Sequence, residues 1–431
     1  MREMKDSGVA WIGKIPHCWN TSKLKYLGQY INGYAFKPEE WGSKGVPIIR
    51  IQDLTGSNDN PNYFEGQIDK KYWVENGDIF ISWAATLDAF IWNKGNGWLN
   101  QHIFKAVPNR RIINYDFFFW MIKESMKNMN NDNKHGIFMQ HVTLSVFNNF
   151  TIPMPPLAEQ ERIAAFLDAE CAEIDAVSEK TRASIEEYKK LKQAVITQAV
   201  TKGVRGDRPM KNSGIEWIGD IPAEWRKTQL RHCAAIKSGI TLGKKYEKTD
   251  SLVERPYLRV ANVQDGYVDL SVLTTIEVTQ DEDLKYRLRA GDVLMTEGGD
   301  RDKLGRGCVW HGEIEPCLHQ NHIFAVQTSK DTLLPEFLEY LTVSDVGRSY
   351  FDVTAIKTTN LACTSSSKVL SFTIPLPSVE EQAEIVEALN TKCAGIDALV
   401  AKKQQYLTEI ENYKKSLIYE YVTGKKEVHP L

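Results

Sequence analysis

The chain has 431 residues, 42% hydrophobic and 10% aromatic, enough apolar material for two or three cores of ordinary domain size. A net charge of -3 and an isoelectric point near 6.3 exclude a protein that holds nucleic acid through a general basic excess, so any such contact falls to local patches. No run approaches the roughly 18 to 20 apolar residues of a membrane helix, the start MREMKDSG has no apolar signal core, and seven cysteines include no CxxC pair; the expectation is a cytoplasmic protein with reduced thiols and no membrane partner.

The first distinctive stretch is SGVAWIGKIPHCW at residues 7–19. It returns as SGIEWIGDIPAEW at 213–225, with Trp11 and Trp19 repeated 206 residues later as Trp217 and Trp225, and with Ile15-Pro16 repeated as Ile221-Pro222. Repeats of this size fix an architecture before any single element does. Next comes an insert, residues 29–151, mixing β-patterned runs such as VPIIRI and DIFIS with helical ones such as YDFFFWMIKESMKNM. A second shared block follows, IPMPPLAEQERIAAFLDAECAEIDAV from Ile152. It returns as IPLPSVEEQAEIVEALNTKCAGIDAL from Ile374, an offset of 222 that pairs Glu159 with Glu381.

Each of these blocks opens a segment of more than forty residues without proline, after Pro155-Pro156 in the first copy and after Pro375 and Pro377 in the second. Proline before the start and an acidic first turn both favour a helix there. Seven-residue spacing gives a seam of Ile174, Thr181, Tyr188 and Val195 with Val177, Ser184 and Leu191. Its counterpart is Ile396, Lys403, Ile410 and Leu417 with Leu399, Tyr406 and Tyr413. A helix of about 45 residues is roughly 67 Å long, longer than a small domain is wide, and globule, helix, globule, helix in sequence fits an antiparallel pair. The expected class is α+β: two mixed globular domains separated by a long antiparallel two-helix coiled coil, with an internal pseudo-two-fold repeat. The expected boundaries are 1–155 for the first domain, 156–208 for the central helix, 209–377 for the second domain and 378–431 for the C-terminal helix.

The two inserts, 29–151 and 235–373, are weakly similar. The surviving echoes are VPIIRIQDL beside RPYLRVANV, NGDIFIS beside AGDVLMT, and NQHIF beside QNHIF. One fold carrying two different surfaces is what a duplicated reader with two specificities needs. Catalytic motifs are missing: there is no glycine-rich cofactor loop with an Asn/Asp-Pro-Pro-aromatic partner, and GITLGKKY at 239–246 has the wrong spacing for a phosphate loop. Cys308, His311, Cys317, His319 and His322 are zinc-ligand types, but their spacing matches no common finger. Their flanks read as strands, and His322 has a counterpart, His102, without cysteines.

Polar and basic segments remain as candidate DNA contacts. TEGGDRDKLGRG at 296–307 offers Arg301, Lys303 and Arg306 among glycines, either for phosphate and guanine or as a hairpin neutralised by Asp300 and Asp302. The corresponding stretch at 82–96 offers Ser82 and Lys94. Segments 136–147 and 355–367 offer Gln140, His141 and Thr143, and Lys357, Thr358 and Asn360, side chains suited to base edges. The echoed motifs add Gln101 with His102 and Asn321 with His322. Arg50 and Arg259 take matching places, as DNA contacts or as members of structural ion pairs.

WIGxIPxxW, then IPxPPLxEQ, then a long IDA-containing helix ending in VTxG, all present twice, resemble the specificity subunit of type I restriction-modification systems. VTKG at Val200 keeps the family ending, while VTGK at Val422 exchanges its last two residues and PSVEEQ departs from PPLAEQ. The resemblance implies two target-recognition domains, each reading half of a split sequence in double-stranded DNA, joined by the coiled coil. It implies a non-catalytic subunit without a cofactor of its own. Two modification (methyltransferase) subunits would use S-adenosylmethionine for N6-adenine methylation, and restriction subunits would use ATP and Mg. The rival readings are a coiled-coil scaffold without base readout and a self-sufficient DNA-modifying enzyme.

Overall fold

The computed structural model describes residues 2–57, 60–84, 86–132, 142–247, 251–299, 304–305, 307–357 and 362–428. The chain divides into two units, one of residues 1–181 with 405–431 and one of residues 182–404. Each unit joins a globular part to the start of one long helix and the end of the other, because Leu157–Lys202 and Val379–Val422 both cross the division.

In the first unit, Met4–Asp6 pairs antiparallel with Lys14–Pro16, and Asn20–Lys23 pairs with Thr151–Met154. The insert between them forms an antiparallel sheet in the order Gly28–Asn32, Ile103–Pro108, Ile79–Ser82, Asp88–Ile91. A second, mixed sheet contains Val46–Ile49 parallel to Gly97–Leu99. The helix Tyr115–Asp132 lies against Asp88–Ile91. Its buried Phe117, Phe118 and Met121 share one core with Trp19, Phe104, Leu167 and Leu417.

The second unit repeats the frame. Met210–Asn212 pairs with Asp220–Pro222 and Arg226–Gln229 with Thr373–Leu376. Its antiparallel sheet runs Ala234–Ser238, Ile323–Thr328, Val293–Thr296, Gly307–Val309, and its mixed sheet sets Leu252–Leu258 parallel to Leu318–His319. The run PEFLEYLTVSDVGRSYF is two helices, Pro335–Val343 and Asp345–Thr354. They break at Ser344, whose hydroxyl accepts from Gly347 N–H and caps the second.

Helix pairing is antiparallel within each unit. In the first, Phe166 meets Tyr421 with ring centroids 4.4 Å apart and Asp175 meets Lys414 at 2.5 Å; as one index rises the other falls. In the second, Lys192 meets Asp397 at 2.7 Å and Arg205 meets Glu384 at 2.8 Å. Asp175 and Asp397 are 222 residues apart, as are Lys192 and Lys414, so one ion pair is used twice with the roles of the helices exchanged.

The seam differs from the expected one by one residue in one of its two rows. Ile174, Thr181, Tyr188 and Val195, with Ile396, Lys403, Ile410 and Leu417, are buried or half-buried. The row beside them is Cys171, Ser178 and Ile185 on the central helix and Cys393, Val400 and Leu407 on the C-terminal one. Val177, Leu191, Leu399, Tyr406 and Tyr413 are exposed. Heptad spacing admits a neighbouring row at +3 or at +4; the larger side chains favoured +3, whereas the partner helix covers the +4 face.

Both long helices end on a left-handed glycine, Gly203 with φ +76° and Gly424 with φ +73°, the conformation that lets the last carbonyls be satisfied. The reversed order in VTGK places the capping glycine one position earlier, and Lys425 then donates from Nζ to Ile12 O at 2.6 Å. A methyl at Gly203 would run into the Arg208 guanidinium and come within 2.9 Å of Glu381 Oε1. Gly203→Ala is therefore expected to destabilise the second unit by at least about 1–2 kcal/mol, from the left-handed penalty alone. Urea unfolding of the variant checks this, an unchanged midpoint being the contrary result.

Candidate nucleic-acid interface

The frame is fastened in both units by the same three side chains. Trp19 Nε1–H donates to Glu159 Oε2 at 2.8 Å and Trp225 Nε1–H to Glu381 Oε2 at 2.9 Å. Arg2 pairs with Glu159 and lies 5.5 Å over the Trp19 ring; Arg208 Nη1 is 2.6 Å from Glu381 Oε1 and its guanidinium 5.2 Å over Trp225. Burying an indole N–H and a carboxylate is tolerable because each satisfies the other and the arginine neutralises the charge.

The residue after each glutamate completes the joint. Gln160 Oε1 accepts from Asn114 N–H and its Nε2 donates to Pro155 O, both at 2.8 Å. Gln382 does the same with Leu334 N–H and Pro377 O, at 2.8 and 3.1 Å. The Glu-Gln pair thus locks the helix start to the tryptophan on one side and to the insert on the other.

That lock positions a repeated polar edge. In the first unit Ile49 stands opposite Leu99 in parallel register, and Asn100 N–H donates to Ile49 O at 3.1 Å. Arg50 follows the one strand, and Gln101 and His102 follow the other. His102 rests on Trp83 with centroids 5.4 Å apart, and Trp83 O accepts from Val142 N–H at 3.1 Å. In the second unit Leu258 stands opposite His319, Gln320 N–H donates to Leu258 O at 2.9 Å, and Arg259, Asn321 and His322 take the equivalent places. Glu297 replaces Trp83: its N–H donates to His322 O at 2.9 Å, its O accepts from Thr364 N–H at 2.7 Å, and its Oε2 is 2.5 Å from His322 Nδ1.

The candidate residues divide accordingly. Arg50, Gln101, His102, Arg259, Asn321 and His322 lie together on these edges, exposed or half-buried. Lys94 is exposed beside them, its Nζ donating to Asp53 O at 2.6 Å, one turn along from Arg50. Two others have internal tasks. Ser82 is fully buried, its hydroxyl donating to Ala84 O at 3.2 Å, and Thr143 caps the helix Leu144–Asn149 by accepting from Val146 N–H at 3.3 Å. Lys357 contributes backbone to a strand paired with Ala362–Cys363. Gln140, His141, Arg301, Lys303, Arg306, Thr358 and Asn360 lie outside the described residues.

Of the cysteine–histidine group of the second unit, Cys308, Cys317 and His319 are packed as core, while His311 and His322 are exposed. Cys308 and Cys317 are buried with Trp310, and burial pushes both thiols up to about 12. Among the described residues no three His, Cys, Asp or Glu side chains are grouped to hold a metal ion, and no helix is long and apolar enough to cross a membrane.

The sequence reading passed over Arg2 and Arg208, although REMKDSG and RPMKNSG carry them at the same offset of 206 as the tryptophans. It also passed over Trp83 and Glu297. These are dissimilar residues at one structural position, and no pattern within a single strand marks them.

The structure thus presents a duplicated frame carrying two unlike inserts, each ending in a matched polar edge. The pattern of the type I restriction modification DNA specificity domain matches residues 16–187. The chain is 26% identical over 437 residues to the type I restriction enzyme EcoBI specificity subunit of Escherichia coli, covering 98% of this chain and 90% of that protein. It is also 26% identical to the MjaVIII specificity subunit of Methanocaldococcus jannaschii, covering 97% and 95%. Among solved structures, a chain from work on complex assembly and conformational transition of the type I R-M system superposes with a TM-score of 0.70 at 18% identity, over 96% of this chain and 99% of that one. Residues 16–187 thus carry the pattern of a type I specificity domain, and over nearly its whole length the chain is similar to type I specificity subunits.

Proposed function

We propose that this chain is the DNA sequence-specificity subunit of a type I restriction-modification complex, with each unit reading one half of a bipartite target. The observation that carries the reading is the repeated polar edge. Equivalent backbone bonds, Asn100 N–H to Ile49 O and Gln320 N–H to Leu258 O, join the strand ends that lead into Arg50 and His102 and into Arg259 and His322, while the neighbouring position differs in chemistry, Trp83 against Glu297. Two unlike surfaces on one frame suit two unlike half-sites. The subunit itself is non-catalytic in this proposal. Two methyltransferase subunits, carrying S-adenosylmethionine, dock on the repeated frame; restriction subunits supply ATP- and Mg-dependent cleavage.

Methylome sequencing of a host with and without this gene, its methyltransferase partner retained, tests the proposal. Loss of a bipartite methyladenine motif is the expected result. An unchanged motif would leave a scaffold without base readout, and methyl transfer by the purified chain alone would contradict the non-catalytic assignment. Within the same proposal the helix pair sets the gap between half-sites. Inserting four residues in each long helix adds about 6 Å, close to two base-pair steps of ~3.4 Å. The expected motif has a changed spacer and unchanged half-site letters, and an unchanged spacer refutes the ruler.

A further inference from the structure

We infer that Arg50 and Arg259 are equivalent phosphate contacts, one per recognition unit, gripping the DNA backbone without reading sequence; the inference rests on the DNA-reading role proposed above. Both arginines follow the last residue of a strand that runs parallel to its neighbour, and both hold the first turn of a short helix through the backbone. Arg50 N–H donates to Asp53 Oδ2 and Arg259 N–H to Asn262 Oδ1, each at 2.8 Å. The side chains do something else. Both are half-buried, both have Nε buried without a hydrogen-bond partner, and among the described residues neither guanidinium makes an ion pair or hydrogen bond. Arg50 instead packs over Trp41, 5.5 Å from the ring centroid, which fixes its stem without satisfying its N–H groups.

A partly desolvated guanidinium left unpaired is costly, and the cost recurs at the same position of a second, diverged insert. Other chemistry shared by the inserts is explained internally. Asp78 pairs with Lys105 at 2.7 Å, and its counterpart Asp292 accepts from Gln327 Nε2 at 2.9 Å. Among the described residues the arginines lack any such partner, which points to a ligand outside the chain that is the same in both places. Two half-sites differ in bases and have phosphodiester in common, the anion for which an arginine fork is matched.

The test uses the full chain assembled with its methyltransferase subunits, binding a duplex that carries the cognate motif over a range of salt. Arg50→Ala and Arg259→Ala are each expected to weaken binding about tenfold and to lower the slope of log affinity against log salt by about 0.9, with the methylated motif unchanged in every letter. Arg→Lys at either place should restore the slope. A change of letters in one half-site would make the arginine a base reader, and unchanged affinity and slope would make it structural; either overturns the inference. Should alanine unfold a domain, Arg50→Gln and Arg259→Gln carry the same expectation. A wild-type complex with no preference for its motif would instead defeat the DNA-reading role itself.

Discussion

Alanine in place of Glu381 is expected to destabilise the second unit by about 3–5 kcal/mol, the range for breaking a buried ion pair on one side. The carboxylate is only 3% exposed and takes both the Trp225 indole N–H and Arg208, itself 11% exposed. Its removal leaves the Trp225 donor unpaired in a core that also holds Val200 and Leu389, and leaves the part-buried Arg208 only the exposed Glu224 at 3.0 Å as a counter-charge. Glu159→Ala should cost less, because Arg2 and Glu159 are more open, at 21% and 11%, and water can satisfy part of what is lost. Hydrogen exchange read amide by amide distinguishes the units: Glu381→Ala should deprotect residues 182–404, and Glu159→Ala residues 1–181 with 405–431. A loss below ~1 kcal/mol for Glu381→Ala, within the range of exposed pairs, would show that the cluster does not fasten the frame.

Protonation of His319 is expected to destabilise the second unit as pH falls. The ring is fully buried, neither nitrogen has a hydrogen-bond partner, and burial, reinforced by Lys237, lowers its pKa from 6.5 to about 4. The unfolded chain therefore takes up the proton first. The contribution of His319 is complete above pH 6.5, and about 3 kcal/mol of it is lost as pH falls from there to about 4. The first unit shows which replacement fits, since Leu99 occupies the equivalent place opposite Ile49. His319→Leu should abolish this part of the pH dependence and raise stability at neutral pH by relieving two unsatisfied nitrogens. Glu339, whose burial raises its carboxyl to about 7, titrates with the opposite sign but is common to both proteins and cancels in the difference. Parallel stability curves for variant and wild type between pH 4 and 7 would refute the assignment to His319.

Much of the architecture was legible because duplication writes the fold twice. The tryptophan motif recurs at an offset of 206 and the Glu-Gln helix start at 222, and the structure uses them as one joint in each unit. The seam was half legible: one row followed from heptad spacing, while the other depended on which side of each helix the partner covers, a choice that local periodicity leaves degenerate. Arg2 and Arg208 were readable by extending the repeat five residues upstream of the motif. The positions of Trp83 and Glu297 follow directly after the echo NGDIFIS and AGDVLMT, but their shared task did not show, because it is defined by backbone bonds to Val142 and Thr364, far along the chain.

The sequence by itself determined that this protein is a duplicated α+β chain on two long helices, with a constant frame and divergent inserts, because repeat and periodicity are properties of order along the chain. Only the tertiary structure decided which side chains stand at the polar edge. Ser82 and Arg50 look equally available in sequence, yet one is sealed within a strand and the other is half-buried with no hydrogen-bond partner for its Nε among the described residues, since burial and pairing are set by elements that meet from distant parts of the chain.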